Sequence, residues 1–311
     1  MRPEDHIGRG ILFAIATFAF FSTADAVVKL LSSGYSVIQI YFVTALFGAI
    51  PIAGLVWFSG RPITVIPRFP KKVALRTLLL VIDNFGAYLA FSLLPLANAY
   101  TLIFAGPLIV TALSPFLLGE AVGRHRWSAV VVGFIGIIVV LRPGMAPLDI
   151  GYLGALGAAC AFGLALIITR QIGGRESDSA MLVWMILGKI VISGIAVPFS
   201  FTPMPMTDLG LMALAGLLAG TAHIFVVQAF KQAPPATVAP FQYTQMLWAV
   251  LYGYLIFGDL PDAFVLAGLT LVTGSGLYIL WREQVVRHRQ KRLLIHPPVP
   301  DALPEAEKKE D

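Results

Sequence analysis

The chain has 311 residues, of which 58% are hydrophobic and only 13% charged. A soluble domain carries about 25% charged residues, so the composition excludes an ordinary soluble fold, and the lack of short alternating segments excludes a transmembrane barrel. The net charge of +5 lies at the ends and in short loops, which argues against nucleic-acid binding, and the single Cys160 excludes a disulfide framework.

Apolar runs of roughly 20 residues, long enough to cross a ~30 Å hydrocarbon core, recur along the chain. They predict ten helical spans, at about 10–32, 36–58, 74–94, 97–119, 127–142, 150–170, 180–200, 208–230, 235–258 and 263–281. The first is too long for the apolar region of a signal peptide and carries Asp25 and Lys29, so it reads as a retained span. These two residues are one turn apart, and an i,i+4 ion pair is their simplest reading. Span three carries Asp83 and Asn84 about halfway along, and span four carries Asn98, Tyr100, Thr101 and Phe104, with Pro107 and Pro115 beyond. Glycines crowd spans five and ten (Gly133, Gly136, Gly268, Gly274, Gly276), where small residues let helices approach closely. Lys189 in span seven either snorkels or meets a carboxylate. Span eight holds His223, and span nine holds Pro240, Gln242, Tyr243, Thr244 and Gln245. Trp127 and Trp281, near span ends, read as interfacial anchors. The tail turns basic from Arg282, then Pro-rich and acidic, and reads as disordered after about Leu294.

Lys and Arg orient the spans. With the N-terminus cytoplasmic, cytoplasmic segments hold 19 of the 22 basic residues, and the outer loops hold only Arg142. Both termini are therefore expected inside. A single offset of 139 residues then places Pro95 on Pro234, Ala97 on Ala236, Leu108 on Leu247, Gly119 on Gly258 and Glu120 on Asp259. A period near half the chain reads as an internal duplication. With five spans in each half the copies must be inverted. The charges agree: Arg124-His125-Arg126 follows Glu120, whereas the uncharged-by-base turn Leu260-Pro261-Asp262 follows Asp259. The fold class is thus an all-α polytopic membrane protein of ten transmembrane helices in two inverted five-helix repeats, residues 8–144 and 145–285, with a cytoplasmic tail at 286–311. Inverted repeats place a substrate site at mid-membrane and permit alternating access.

At this point the chain resembles the drug/metabolite transporter superfamily, in its EamA branch. The resemblance covers about residues 8–285 and rests on the two five-span halves, the Gly-acid endings Gly119-Glu120 and Gly258-Asp259, and VVVGFIGIIVVLRPG at 130–144. The stretch Ala236–Asp262, with APFQYTQ and GDLPD, is similar to that of bacterial carriers for S-adenosylmethionine and riboflavin. The resemblance implies a bacterial inner-membrane carrier with a central cavity lined by spans one, three, four, six, eight and nine.

Polar residues inside the spans are the candidate chemistry. A carboxylate at the bilayer centre costs roughly 2.5–3.5 kcal/mol on insertion scales, so Asp83 reads as a site for a cationic solute or for proton coupling, against a purely structural carboxylate. His223 stands at the repeat position of Asn84 and reads either as a site residue or as a satisfied donor and acceptor. Gln242, Tyr243 and Gln245 read as cavity lining for a planar or zwitterionic solute, against interhelical hydrogen bonding. Span four offers Asn98, Tyr100, Thr101 and Phe104 as further lining candidates, and Phe104 aligns with Tyr243 in the other repeat. No second His or Cys stands at metal spacing, and no cofactor is implied. GxxxxGK[ST], GxSxG and HExxH are absent, which leaves a gradient-driven secondary transporter of a small polar or amphipathic metabolite, with import and export both open, and argues against an intramembrane enzyme. Amino acids or drugs are the alternative cargo. The expected partners are that solute and the bilayer, with a homodimer as an option.

Overall fold

The computed structural model describes residues 3–59, 64–144, 149–173 and 175–295. Among them every regular element is helical: α1 (Pro3–Leu31), α2 (Val37–Ser59), α3 (Pro70–Leu93), α4 (Leu96–Ile103), α5 (Gly106–Leu117), α6 (Arg124–Leu141), α7 (Ile150–Ile172), α8 (Asp178–Ala196), α9 (Met206–Gln232), α10 (Pro235–Val238), α11 (Thr244–Phe257) and α12 (Ala263–Ile295). Nine helical stretches among the described residues are long and apolar enough to cross a membrane, taking Leu96–Leu117 as one. The remaining expected span, 235–258, is helical but interrupted by a 3-10 segment, Ala239–Tyr243. Arg2, Arg61 and the tail from 296 onward lie outside the described residues.

Both interruptions have proline beside them. Pro107 stands in the first turn of α5 and Pro240 in the 3-10 segment. Proline has no N–H to give the preceding turn. The first break is at Phe104 and Ala105 and the second spans Ala239–Tyr243; the 139-residue offset places Phe104 on Tyr243, the last residue of that segment. The far ends also match. Gly119 and Gly258 each have φ +69, a left-handed conformation that glycine adopts without a Cβ penalty. The next N–H then folds back on the helix, Glu120 N to Ser114 O at 3.4 Å and Asp259 N to Gly253 O at 2.9 Å.

The most extensive helix pairings are α3 with α7, α1 with α9, α6 with α12 and α2 with α9. Glycine allows three of them. A Cβ on Gly86 would stand 2.6 Å from Gly154 O, on Gly136 2.9 Å from Gly268 O, and on Gly216 2.5 Å from Thr44 O. Gly274 has nothing nearby, so it does not join the expected α6–α12 stripe, and Gly276 instead receives the Tyr243 ring. The largest buried cluster joins α3, α4, α5, α6, α7, α11 and α12 through residues such as Phe91, Leu102, Leu108, Met246 and Val272.

The two ends of the bundle differ in chemistry. One is basic: Lys72 bonds Gln171, Arg76 bonds Thr169, Arg170 pairs with Glu120 at 3.8 Å, and Arg126 with Glu283 at 3.8 Å. There Glu176 accepts from the N–H groups of Arg68 and Phe69 (3.1 and 2.8 Å) at the start of α3. The other end is closed by Tyr35 on Asp208, Ser36 on Ser200 and Gln39 on Thr202. Arg142 forms a charge-assisted contact with Asp262 at this end.

Candidate functional site

A cavity of about 80 Å³ lies among α1, α2, α3, α8 and α9. That is room for two or three waters at about 30 Å³ each, so a metabolite requires the helices to part. Its walls carry Asp25 from α1, Tyr41 and Thr44 from α2, Asn84 and Tyr88 from α3, Lys189 from α8 and His223 from α9. Apolar closure comes from Phe21, Ile52, Met185 and Ile186. Ionic and amide groups inside an apolar bundle are expensive unless partnered or used.

The partners divide the charged groups into two clusters. Asp25 accepts a short hydrogen bond from the Tyr100 hydroxyl, which Gln245 Nε2 approaches at 3.4 Å. On the other side, Lys189 Nζ donates to Asn84 Oδ1 at 2.8 Å, and Asn84 Nδ2 donates to Asp83 Oδ2 at 3.2 Å. One amide thus links the ammonium to a carboxylate. The Lys189 charge acts on both Asp83 and Asp25. His223 Nδ1 lies 2.8 Å from Ala219 O. An N–H there donates to the carbonyl and leaves Nε2 free to accept. The ring also packs edge-on against Phe21, 5.0 Å between centroids. Tyr41 is 3% exposed and its hydroxyl is buried with no partner among the described residues.

The structure sorts the sequence-predicted residues. Asn84 and His223 line the cavity, and Tyr100 and Gln245 stand behind Asp25. Asp83 stands behind Asn84 and is not on the wall. Thr101 is fully buried and returns its hydroxyl to Ala97 O at 2.6 Å. Phe104 stacks between Tyr100 and Tyr243, with centroid distances of 5.9 and 5.3 Å. Asn98 and Gln242 are not on the wall, and Tyr243 points its ring at Gly276 of α12. The wall of this cavity comes from α1, α2, α3, α8 and α9, and among the described residues none of its lining comes from spans four, six or nine.

The Asp25–Lys29 ion pair is also corrected. Lys29 Nζ donates to Leu94 O at 2.7 Å and stands 4.0 Å from Asp259. It caps the C-terminus of α3, where a cation is favoured by the helix dipole. Tyr41, Thr44, Tyr88, Asp25 and Lys189 are the wall residues that sequence reasoning did not assign to the site. Among the described residues no three His, Cys, Asp or Glu side chains gather to hold a metal.

Known proteins share this organisation. The EamA-like transporter family matches residues 8–142 and again 149–281. An S-adenosylmethionine uptake transporter of Rickettsia conorii is 26% identical over 282 residues, covering 90% of this chain and 95% of that protein. A riboflavin transporter of Rhizobium johnstonii is 30% identical over 203 residues, 63% of this chain and 65% of that one. A pseudopaline exporter of Pseudomonas aeruginosa is 24% identical over 276 residues, 86% and 94% of the two. A protein crystal structure superposes with a TM-score of 0.59 at 17% identity, covering 91% of this chain and 98% of that one, and so shares its fold. The chain is therefore a multi-pass membrane transporter with a small-molecule substrate rather than an enzyme, and it belongs to the EamA-like transporter family.

Proposed function

We propose that this chain is a secondary-active transporter that moves a small polar or amphipathic metabolite by alternating access through the cavity around Asp25, Asn84, Lys189 and His223. One observation carries the reading: a cavity with a carboxylate, an ammonium, an imidazole and an amide on its walls, inside an otherwise apolar bundle. Such groups at membrane depth mark solute and ion pathways. In this reading the chain crosses the bacterial inner membrane ten times, with α10, the 3-10 segment and α11 together as the ninth crossing. The halves 8–144 and 145–285 are inverted repeats, both termini and the tail 286–311 are cytoplasmic, and the basic end of the bundle faces the cytoplasm. The matching breaks at Phe104 and Tyr243 and the matching ends at Gly119 and Gly258 support the repeat.

Within the site, Asp25 makes the direct contact with a positive group of the solute. Tyr100 holds its carboxylate, Gln245 donates to the Tyr100 hydroxyl, and Phe104 and Tyr243 buttress Tyr100 from behind. Asp83 acts through Asn84, either holding charge or exchanging a proton as the coupling group. The names of the relatives span uptake and export, so S-adenosylmethionine, riboflavin, pseudopaline and amino acids are the first solutes to test. The cavity is complete within one chain, and a homodimer is compatible with it.

The test is purified protein in liposomes, challenged with that panel with and without a pH gradient, beside Asp25→Asn. Saturable flux of at least one solute, lost in Asp25→Asn, is the expected result. Flux that Asp25→Asn leaves unchanged overturns the site.

A further inference from the structure

We propose that Lys189 is a built-in counter-ion that fixes the charge of the accepted solute: through Asn84 it neutralises Asp83, leaving Asp25 to take one positive charge from the solute. The inference rests on the cavity being the transport site, and it names the charge class of that site's ligand.

Two carboxylates, Asp25 and Asp83, and one ammonium, Lys189, act on this cavity. Tyr41 and Tyr88 face the same space, Tyr100 stands behind Asp25, and all three are uncharged phenols at neutral pH. His223 hydrogen-bonds a neutral carbonyl. It has no ion-pair partner among the described residues, and we count it neutral. Other charges on the same helices are engaged at the bundle ends. Lys29 caps α3, Arg76 bonds Thr169, and Asp208 accepts from Tyr35. The cavity therefore carries one uncompensated negative charge.

Geometry says which carboxylate is left over. Asn84 accepts from Lys189 at 2.8 Å and donates to Asp83 at 3.2 Å, so its amide dipole lies between the two charges in the favourable sense. Lys189 also stands 6.0 Å from the centroid of the Tyr41 ring, within cation–π range. The ammonium is thus held on the Asp83 side. The hydrogen bond to Asp25 comes from a neutral donor, the Tyr100 hydroxyl with Gln245 behind it, and no ammonium is linked to Asp25 by a hydrogen-bonded bridge as Lys189 is to Asp83. A buried carboxylate without a cation is costly, and a cationic group of the solute removes that cost. A neutral solute leaves Asp25 unmatched. A doubly charged one brings a second cation to a place that Lys189 already fills.

Three probes of one length and different charge read this directly: 1-hexanol, hexylamine and 1,6-diaminohexane, titrated against the full chain in nanodiscs by thermal shift. Wild type is expected to bind hexylamine over both others by about tenfold or more. Lys189→Met, which adds one uncompensated negative charge, moves the preference to the diamine. Asp83→Asn, which removes one, moves it to the alcohol. The double variant Asp83→Asn/Lys189→Met restores the preference for hexylamine, a rescue that a merely structural role for either residue does not predict. Should Lys189→Met fail to fold, the Asp83→Asn shift and the double variant decide alone. An unchanged charge preference in the folded variants overturns the counter-ion role, as does wild type that binds hexylamine no better than hexanol. Asp25→Asn separates the two layers. If it leaves hexylamine binding intact, the site itself is wrong. If it abolishes that binding while the Lys189 and Asp83 variants keep the wild-type preference, only the counter-ion inference fails.

Discussion

Asp25 and Asp83 look alike in the sequence, each a carboxylate inside an apolar run, yet their surroundings give them different work. Asp25 is on the cavity wall with Tyr100 at its back, and Asp83 is one amide removed. Hydrogen bonds to charged groups contribute about 1.5–3 kcal/mol, so Asp25→Asn should weaken solute affinity roughly 10- to 100-fold with folded protein still in the membrane. Gln245→Leu touches only the Tyr100 hydroxyl. It should cost less, about 0.5–1.5 kcal/mol in the same binding assay, and an equal or larger loss would put Gln245 in direct contact with solute. Asp83→Asn separates coupling from charge balance: a coupling group loses gradient-driven accumulation and keeps exchange of a cationic solute, whereas the counter-ion arrangement predicts that exchange of a cationic solute weakens as well. The sequence made Asn84 and His223 legible because polar side chains at mid-span have few other uses. Lys189 and Tyr41 were not legible, because their partners lie on other helices. For Asp25 and Lys29 the local i,i+4 rule lost to tertiary contacts, Tyr100 for one and the end of α3 for the other.

At the level of elements, hydropathy locates the nine apolar helical stretches found among the described residues, but the break between α4 and α5 and the 3-10 segment Ala239–Tyr243 belong to backbone chemistry that hydropathy does not register. The prolines that mark them are visible in the sequence, whereas the direction in which each half-helix turns is not. Close packing is similar. Glycine in spans five and ten was noted, but the tightest contact of α2 with α9 uses Gly48, Gly216 and Gly220, which the span pattern does not distinguish. Gly216→Val forces a side chain against Thr44 O and the Phe47 Cβ. Overpacking of this kind costs about 1–3 kcal/mol, and a melting curve in detergent should fall accordingly; an unchanged curve would mean that α2 and α9 do not approach this closely.

The clamp at the start of α3 makes a pH prediction. Burial pushes the Glu176 carboxyl up, but the N–H groups of Phe69, Ser177 and Arg68 outweigh it and hold the carboxyl below its usual range. A folded value below the unfolded one contributes stability that is present above the usual carboxylate range. That stability is lost as pH falls through the lowered folded value. Protection factors for the Arg68 and Phe69 amides should therefore drop on that acid limb in wild type. In Glu176→Gln they should be low at every pH, and flat profiles in both proteins would contradict the clamp.

The whole molecule carries two asymmetries. Charge separates a basic end from an opposite end closed by Tyr35–Asp208, Ser36–Ser200 and Gln39–Thr202. Sequence separates two copies of one repeat. The proposed inversion reconciles them, and it predicts that Arg124 and Asp262, in the loops after spans four and nine, stand on opposite faces. In a Cys160→Ser background, cysteines at Arg124 and Asp262 should react with an impermeant thiol reagent from opposite sides. Reaction of both from one side would remove the inverted repeat. The all-helical, multi-pass character is readable from the sequence because burial in lipid demands long apolar helices. The cavity is not, since it forms where five helices meet.

The most direct measurement uses a cysteine on the cavity wall. Ala219→Cys in the Cys160→Ser background, in sealed vesicles of known orientation, is exposed to a small impermeant thiol reagent from one side at a time. Alternating access predicts that Ala219→Cys is modified from the outside and from the inside, in separate experiments on the same folded protein. Modification from one side only, or from neither, would contradict a cavity that opens in turn to both faces of the membrane.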